Sequence, residues 1–174
     1  MLFRSILGND SLRDTIVEMI DKLVTEAVDA YADEKLYPEE WDYEGLHKHL
    51  SQYFLTSEIM STEEMEEYTR QELDERLHEI AHSEYQDRID LLGDAMFSQL
   101  EKAIMLRVVD SKWMEHLDNM DMLREGIGLR AYGQKNPLVE YKFEAFEMFQ
   151  NMIAAIQDET IMALYKIRAQ LIQE

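Results

Sequence analysis

Three clusters in this sequence have residue types and spacings that could do chemistry. His78-Glu79-Ile80-Ala81-His82 fits H-E-x-x-H, the pattern in which two His at i and i+4 bind zinc from one helix face while the Glu activates a metal-bound water. It falls in a stretch with helical periodicity, as that chemistry requires. Such a centre also needs a third ligand in a closed cleft. Glu101 is a candidate by distance along the chain, but it lies beyond Gly93-Asp94, a pair that ends one helix and opens the next. Both His flank an apolar stripe, so we read them as a solvated helix flank and expect no metal. Gly126-Ile127-Gly128-Leu129-Arg130-Ala131 fits the G-x-G-x-x-A dinucleotide fingerprint. That fingerprint works between a strand and a helix, whereas this one follows a long helical pattern, and its glycines read as freedom at a turn. His116, near Trp113 and Asp121, could do acid–base work, but no nucleophile or electrophile stands near it in sequence. Helix packing is its reading here, and no catalytic residue is expected.

The elements that would position these residues are helices. In 174 residues there are only 6 Gly and 2 Pro, too few for a turn-rich β protein, so the expected class is all-α. An amphipathic helix opens at Asp10 or Ser11, either of which can cap it. It carries Leu12, Ile16, Met19, Ile20, Leu23, Ala27 and Tyr31 on one face and stops before Pro38. A short helix over 43–54 carries Leu46, Leu50 and Tyr53. Ser61 with Glu64 reads as a capping box for a helix with Met65, Leu73, Leu77, Ala81, Tyr85, Ile89 and Leu92 along its stripe, as far as Gly93.

The remainder reads as a long antiparallel helical hairpin. Its first arm, from about Asp94 to Glu125, presents Phe97, Leu100, Ile104, Val108, Val109, Trp113, Leu117, Met120 and Leu123. The second, from Pro137 to about Ile172, presents Phe146, Phe149, Ile153, Ile156, Leu164, Ile167 and Leu171. Proline at the first helical position loses an N–H that had no partner anyway. Between the arms, GIGLRAYGQKN over 126–136 marks an exposed tip loop, and at about 1.5 Å per residue each arm reaches on the order of 45 to 50 Å. The 12 Met include Met114, Met120, Met122, Met148 and Met152 in the hairpin, either as core filler or as an adaptable contact surface.

Charge narrows the partners. With 17 Lys and Arg against 37 Asp and Glu, the balance is −20, which opposes binding to nucleic acid or anionic lipid. Up to Gly93 there are 8 basic and 24 acidic residues, a balance of −16, against 9 and 13 beyond it, a balance of −4. The tip carries Arg130 and Lys135 and no acid, a cationic end on an acidic body. Cysteine is absent, which excludes disulfides and thiolate chemistry. No apolar run approaches the roughly 18 residues of a membrane span, and no secretory signal is recognisable, so a soluble cytosolic protein is expected.

From Leu106 to Phe149 the chain resembles the C-terminal part of SecA, the bacterial preprotein translocase ATPase. The matching residues are Asp110-Ser111, Trp113, Glu115-His116-Leu117, Met120-Asp121, Leu123-Arg124, Gly126-Ile127, Leu129-Arg130, Tyr132, Gln134-Lys135, Pro137, Glu140-Tyr141 and Phe146. LRDTIVEMI, Asp29-Ala30-Tyr31, Pro38 and Trp41 resemble that family's helical wing more loosely. The resemblance implies the tail of a long scaffold helix over 1–9, a helical wing domain over 10–93, and a helical scaffold domain over 94–174 whose hairpin is the two-helix finger.

It further implies that the finger sits at the mouth of the SecYEG channel and touches unfolded preprotein through Tyr132, with Leu129, Arg130, Ala131, Gln134 and Lys135 around it. The segment holding Trp113, His116 and Arg124 would restrain ATP hydrolysis by the motor domains. ATP and Mg would belong to those domains, since this chain has no G-x-x-x-x-G-K-[ST], and no cofactor is expected here. The cysteine-rich zinc tail of the family is missing as well, and the implied location is cytoplasmic, peripheral at the inner face of the bacterial plasma membrane. Gly128 stands where a bulkier polar residue such as His is common, implying a more pliant tip. With most of the long scaffold helix absent, either rearranged packing or homodimerisation through uncovered apolar surface is expected. The reading from a different class is a stand-alone helical interaction and dimerisation module.

Overall fold

A computed structural model describes residues 11–130 and 136–171. Among these residues six α-helices follow in order, with one 3-10 turn at Pro38–Glu40: α1 Leu12–Tyr31, α2 Tyr43–Leu50, α3 Thr62–Met65, α4 Arg70–Leu92, α5 Asp94–Arg130 and α6 Pro137–Leu171. There is no strand among the described residues, and the class is all-α. The chain divides into two compact units. One comprises the described residues as far as Lys102 and those from Ile161 onward; the other is Ala103–Thr160.

In the first unit α1 buries Ile16, Met19, Ile20, Leu23, Val24, Ala27 and Val28, a run at three- and four-residue steps that makes one continuous apolar face. This face packs on α4, which buries Leu73, Leu77, Ile80, Ala81, Tyr85 and Ile89. Ser11 stands at the N-cap of α1 without a capping side-chain bond. Its carbonyl instead accepts from the Asp14 N–H at 3.0 Å, and Asp10 lies outside the described residues. After α1 the chain folds back sharply: the Asp42 N–H donates to the Tyr31 carbonyl at 3.0 Å, and Asp42 caps α2 by accepting from the Gly45 N–H at 2.8 Å. A Cβ on Gly45 would stand 2.2 Å from the Asp42 carboxylate and 2.7 Å from the Tyr31 ring. Only glycine allows that approach. The short helix ends at Leu50, earlier than its spacing suggests, and Phe54 and Leu55 are buried beyond it while Tyr53 is only half-buried.

The single helix expected from Ser61 onward is two. Ser61 caps the one-turn α3 by accepting from the Glu64 N–H at 3.2 Å, but the chain leaves the helix at Glu66 and starts again at Thr69. There the capping box is complete: the Glu72 N–H donates to the Thr69 hydroxyl oxygen at 3.3 Å, and the Thr69 N–H donates back to the Glu72 carboxylate at 2.9 Å. Thr69-x-x-Glu72 repeats the pattern of Ser61-x-x-Glu64, and the second box satisfies two N–H groups where the first satisfies one. Arg70 then ties the start of α4 to the end of α1, donating to the Ala32 carbonyl at 2.8 Å and to Glu34 at 3.0 Å and pairing with Asp29. Gly93 closes α4 at φ +82°, on the glycine-favoured side of backbone space, and its carbonyl accepts from the Phe97 N–H at 3.0 Å to begin α5.

Two charged residues are buried among these elements. Glu101 on α5 is 1% exposed. It accepts two bonds from the Arg13 guanidinium, at 3.0 and 3.2 Å, and one from the Tyr85 hydroxyl. Arg88 on α4 donates to the Tyr165 carbonyl at 2.9 Å, pairs with Glu84 at 2.9 Å and lies over the Tyr165 ring. The Tyr165 hydroxyl donates to the Ala81 carbonyl at 2.7 Å. Glu101, Arg88 and the Tyr165 hydroxyl thus all find partners, as burial requires, whereas the buried Nε2 of His47 has none among the described residues.

The tip differs from the expectation of a loop over 126–136. α5 continues through Gly126 and Gly128 to Arg130. Glycine costs about 1 kcal/mol against alanine inside a helix, but extending a helix already formed adds a hydrogen bond for each residue fixed. Neither glycine has positive φ, the one described glycine that does being Gly93. Leu129 is therefore a helical residue. Ala131, Tyr132, Gln134 and Lys135 lie outside the described residues, as does the Arg130 side chain. The second arm begins as expected: the Asn136 side chain accepts from the Leu138 N–H at 3.1 Å, with Pro137 at the first helical position.

Burial raises the pKa of Tyr85, reinforced by hydrogen bonding to Glu101, and burial likewise raises that of Tyr165. Both start from an ordinary value of 10.0. In the unfolded chain these hydroxyls ionise from about pH 10, while in the fold they stay neutral. Stability is therefore complete below that pH and declines above it, by up to about 1.4 kcal/mol per pH unit for each tyrosine. Urea unfolding between about pH 8 and about pH 11 should show this decline, with a shallower slope in Tyr85→Phe. Identical slopes would overturn the assignment.

Candidate functional site

The unit Ala103–Thr160 is the hairpin itself, built from α5 and α6. Lys112 on α5 reaches Glu159 on α6 at 2.7 Å, the His116 ring meets the Phe149 ring at 6.0 Å between centroids, and the Thr160 hydroxyl donates to the Met105 sulfur at 3.8 Å. As residue numbers rise on one arm they fall on the other, so the arms are antiparallel. Between them lies a groove of about 270 Å³ lined by Lys112, Glu115, His116, Asn119, Met148, Asn151, Met152 and Ala155. Lys112 bridges Glu159 and, at 3.1 Å, Glu115. Hydrogen bonds to those carboxylates, Glu159 foremost, raise its pKa above the ordinary lysine value. Neither ring nitrogen of His116 has a hydrogen-bond partner among the described residues, while its ring lies 5.7 Å from that of Trp113.

The inward face of α6 is not the one its aromatic spacing suggests. Met152 and Ile156 are buried, and Tyr141, Ala145, Met148 and Ala155 half-buried, whereas Phe146 is 64% exposed and Phe149 is exposed as well. Val139, Phe143 and Phe146 form a ridge on the side turned away from α5. On the part of α5 within this unit the buried positions are Met105, Val108 and Leu123, while Trp113 and Leu117, expected inward, are exposed. α6 carries two apolar stripes, one through Val139, Phe143 and Phe146 and one through Tyr141, Ala145, Met148, Met152 and Ile156, so periodicity alone does not choose between them. Short, polar and thioether side chains take the seam, across which Lys112 reaches Glu159.

The predicted site residues are thus dispersed along the hairpin. His116 lies in the groove, Trp113 beside it at the surface, and Arg124 on the exposed side with its guanidinium 3.3 Å from Asp121. Leu129, 74% exposed, is near the described end of α5. Lys112, Asn119 and Asn151, which sequence reasoning passed over, are the polar lining; only the helical offset between Lys112 and Glu115 hints at them. The H-E-x-x-H residues sit in the other unit, engaged in helix contacts. The His78 ring bonds the Asp74 carbonyl at 2.8 Å and the Asp21 carbonyl at 3.2 Å, and His82 bonds the Asp21 carboxylate at 2.6 Å. Glu79 pairs with Arg76 at 3.1 Å, and Glu101 holds Arg13 instead of joining the two His.

Residues 3–168 match the family model of the SecA wing and scaffold domain. The chain belongs to this family. The protein translocase subunit SecA of Pelotomaculum thermopropionicum is 48% identical over 164 residues, covering 94% of this chain and 18% of that protein. That of Desulforudis audaxviator is 46% identical over 173 residues, with 95% and 19% covered. That of Desulforamulus reducens is 43% identical over 171 residues, with 98% and 20% covered. This SecA wing and scaffold chain therefore spans about a fifth of the length of these relatives.

The two faces of α6 in this SecA hairpin should differ in energetic weight. Met152→Ala removes a side chain that is 6% exposed and should lower stability by about 2 kcal/mol or more. Phe146→Ala should change it by no more than about 0.5 kcal/mol. Denaturant midpoints of the two variants compare them directly, and a larger loss for Phe146→Ala would reverse the assignment of faces.

Proposed function

We propose that this chain is the non-catalytic wing and scaffold part of a SecA protein-translocation motor, and that its hairpin works as the two-helix finger. On this reading residues 10–93 are the wing, 94–174 the scaffold, and 1–9 the tail of the long scaffold helix. The tip presses on unfolded preprotein at the mouth of the SecYEG channel. ATP and Mg act in motor domains supplied by the rest of the parent protein, and the hairpin segment with Trp113, His116 and Arg124 restrains their hydrolysis. The location that goes with this role is cytoplasmic and peripheral at the inner membrane face. No described helix is long and apolar enough to cross a membrane, which suits a peripheral role.

The observation that carries this reading is the hairpin within a SecA family match. One arm ends at Arg130 and the other begins at Pro137, which in sequence flank Tyr132. A tyrosine offers apolar area together with one hydrogen-bonding group, which suits contact with unfolded chains of any sequence. Arg130 and Lys135 add positive charge for acidic substrate segments or channel loops. In the full-length parent, Tyr132→Ala should impair translocation into reconstituted vesicles and leave basal ATPase largely intact. An unchanged translocation rate would refute the assigned role of the tip.

The exposed ridge of Val139, Phe143 and Phe146 favours an accompanying role in assembly. In the parent it is covered by the long scaffold helix, and in the isolated chain by a second copy, which is also how the alternative of a stand-alone dimerisation module would behave. Light scattering of the isolated chain should give the mass of a dimer, and Phe143→Ser with Phe146→Ser should return it to monomer. A monodisperse wild-type monomer would contradict self-association.

A further inference from the structure

The groove between the hairpin arms gathers soft donor side chains from both helices. Met148 and Met152 are four residues apart on α6 and so share one helix face, and both line the groove opposite His116 of α5. Met152 is buried, and the His116 ring nitrogens are without hydrogen-bond partners among the described residues. The other two His of an apparent metal motif, His78 and His82, are by contrast taken up by Asp74 and Asp21. Two thioethers and one imidazole form a soft, neutral donor set. Hard cations such as Mg²⁺ select carboxylate and carbonyl oxygens, whereas thioether sulfur selects Cu(I).

We propose that Met148, Met152 and His116 form a binding site for a soft monovalent cation, Cu(I) or its analogue Ag(I). Local charge agrees with a monovalent guest. Lys112 is bridged by Glu115 and Glu159 at the same groove, leaving one negative charge in excess beside neutral ligands. The chain has no cysteine, so no thiolate within it competes for the ion. Trp113, whose ring lies 5.7 Å from that of His116, gives the site a built-in reporter. Binding involves no electron transfer, because the cation enters and leaves in the same oxidation state.

The test is titration of the purified chain with Ag(I) in chloride-free buffer, followed by calorimetry and tryptophan emission. The expected result is one ion bound per chain, with emission quenched in wild type and the quench lost in Trp113→Phe. Met148→Leu, Met152→Leu and His116→Gln should each weaken binding at least about tenfold, the scale on which metal affinity responds to loss of a contributing group. Methionine to leucine conserves volume and is well tolerated in cores. Should a variant fail to fold, NMR of the wild-type chain still decides: the methyl signals of Met148 and Met152 should shift together at one equivalent of Ag(I). Absence of saturable binding, affinity equal in wild type and folded variants, or shifts confined to other methionines would each overturn the proposal.

Discussion

The first unit depends on a carboxylate taken out of water. Glu101 is buried on α5, and removing such a group from solvent costs several kcal/mol unless nearly every lone pair is satisfied. Three elements must converge to satisfy it: α1 supplies the fork of Arg13, α4 supplies the Tyr85 hydroxyl, and α5 supplies Glu101 itself. An apolar contact tolerates sliding by an ångström or two. A bidentate guanidinium pair with a phenol on the same oxygen does not. The apolar face of α1 holds the helices together, while the Glu101 cluster fixes their register.

Arg88 extends the same logic to the end of α6. Its guanidinium lies against the Tyr165 ring while bonding the Tyr165 carbonyl, and the Tyr165 hydroxyl returns to the Ala81 carbonyl on α4. The carbonyl that Arg88 takes lies within the last turns of α6, the end of a helix where a cation is favourably placed. Phe54, beyond the short α2, meets the Tyr165 ring at 5.5 Å. A residue from the last helix thereby joins the core made by the first four.

Much of this was legible in the sequence, and the misreadings have particular causes. The three- and four-residue steps from Ile16 to Val28 and from Leu73 to Ile89 have charged residues on the opposite face, so each has a single reading. Thr69-Glu72 was overlooked because Ser61-Glu64 offers the same signature a few residues earlier, and the sequence does not show that the second box is the reciprocal one. Gly126 and Gly128 pointed to a turn because glycine is usually punctuation, yet two such residues near the end of a 37-residue helix do not stop it. Glu101, Arg13 and Tyr85 could not be grouped at all. They are separated widely along the chain, and buried ion pairs have no periodicity.

The hairpin inverts the usual arrangement of a two-helix structure, and the inversion bears on its use. Lysine, histidine, asparagine and methionine line the groove between the arms, while Phe143, Phe146 and Leu129 face outward. A pair of helices standing alone would gain more by turning those aromatics inward, since each buries far more apolar area than an asparagine or alanine. A helix with a second, uncovered apolar stripe has a face that a larger assembly can bury, and the chain covers about a fifth of its SecA relatives. Selection for stability of the pair alone would not leave aromatic side chains uncovered. The seam combines buried Met105, Val108, Met152 and Ile156 with polar contacts such as Lys112 with Glu159. That leaves the aromatic outer face exposed for docking.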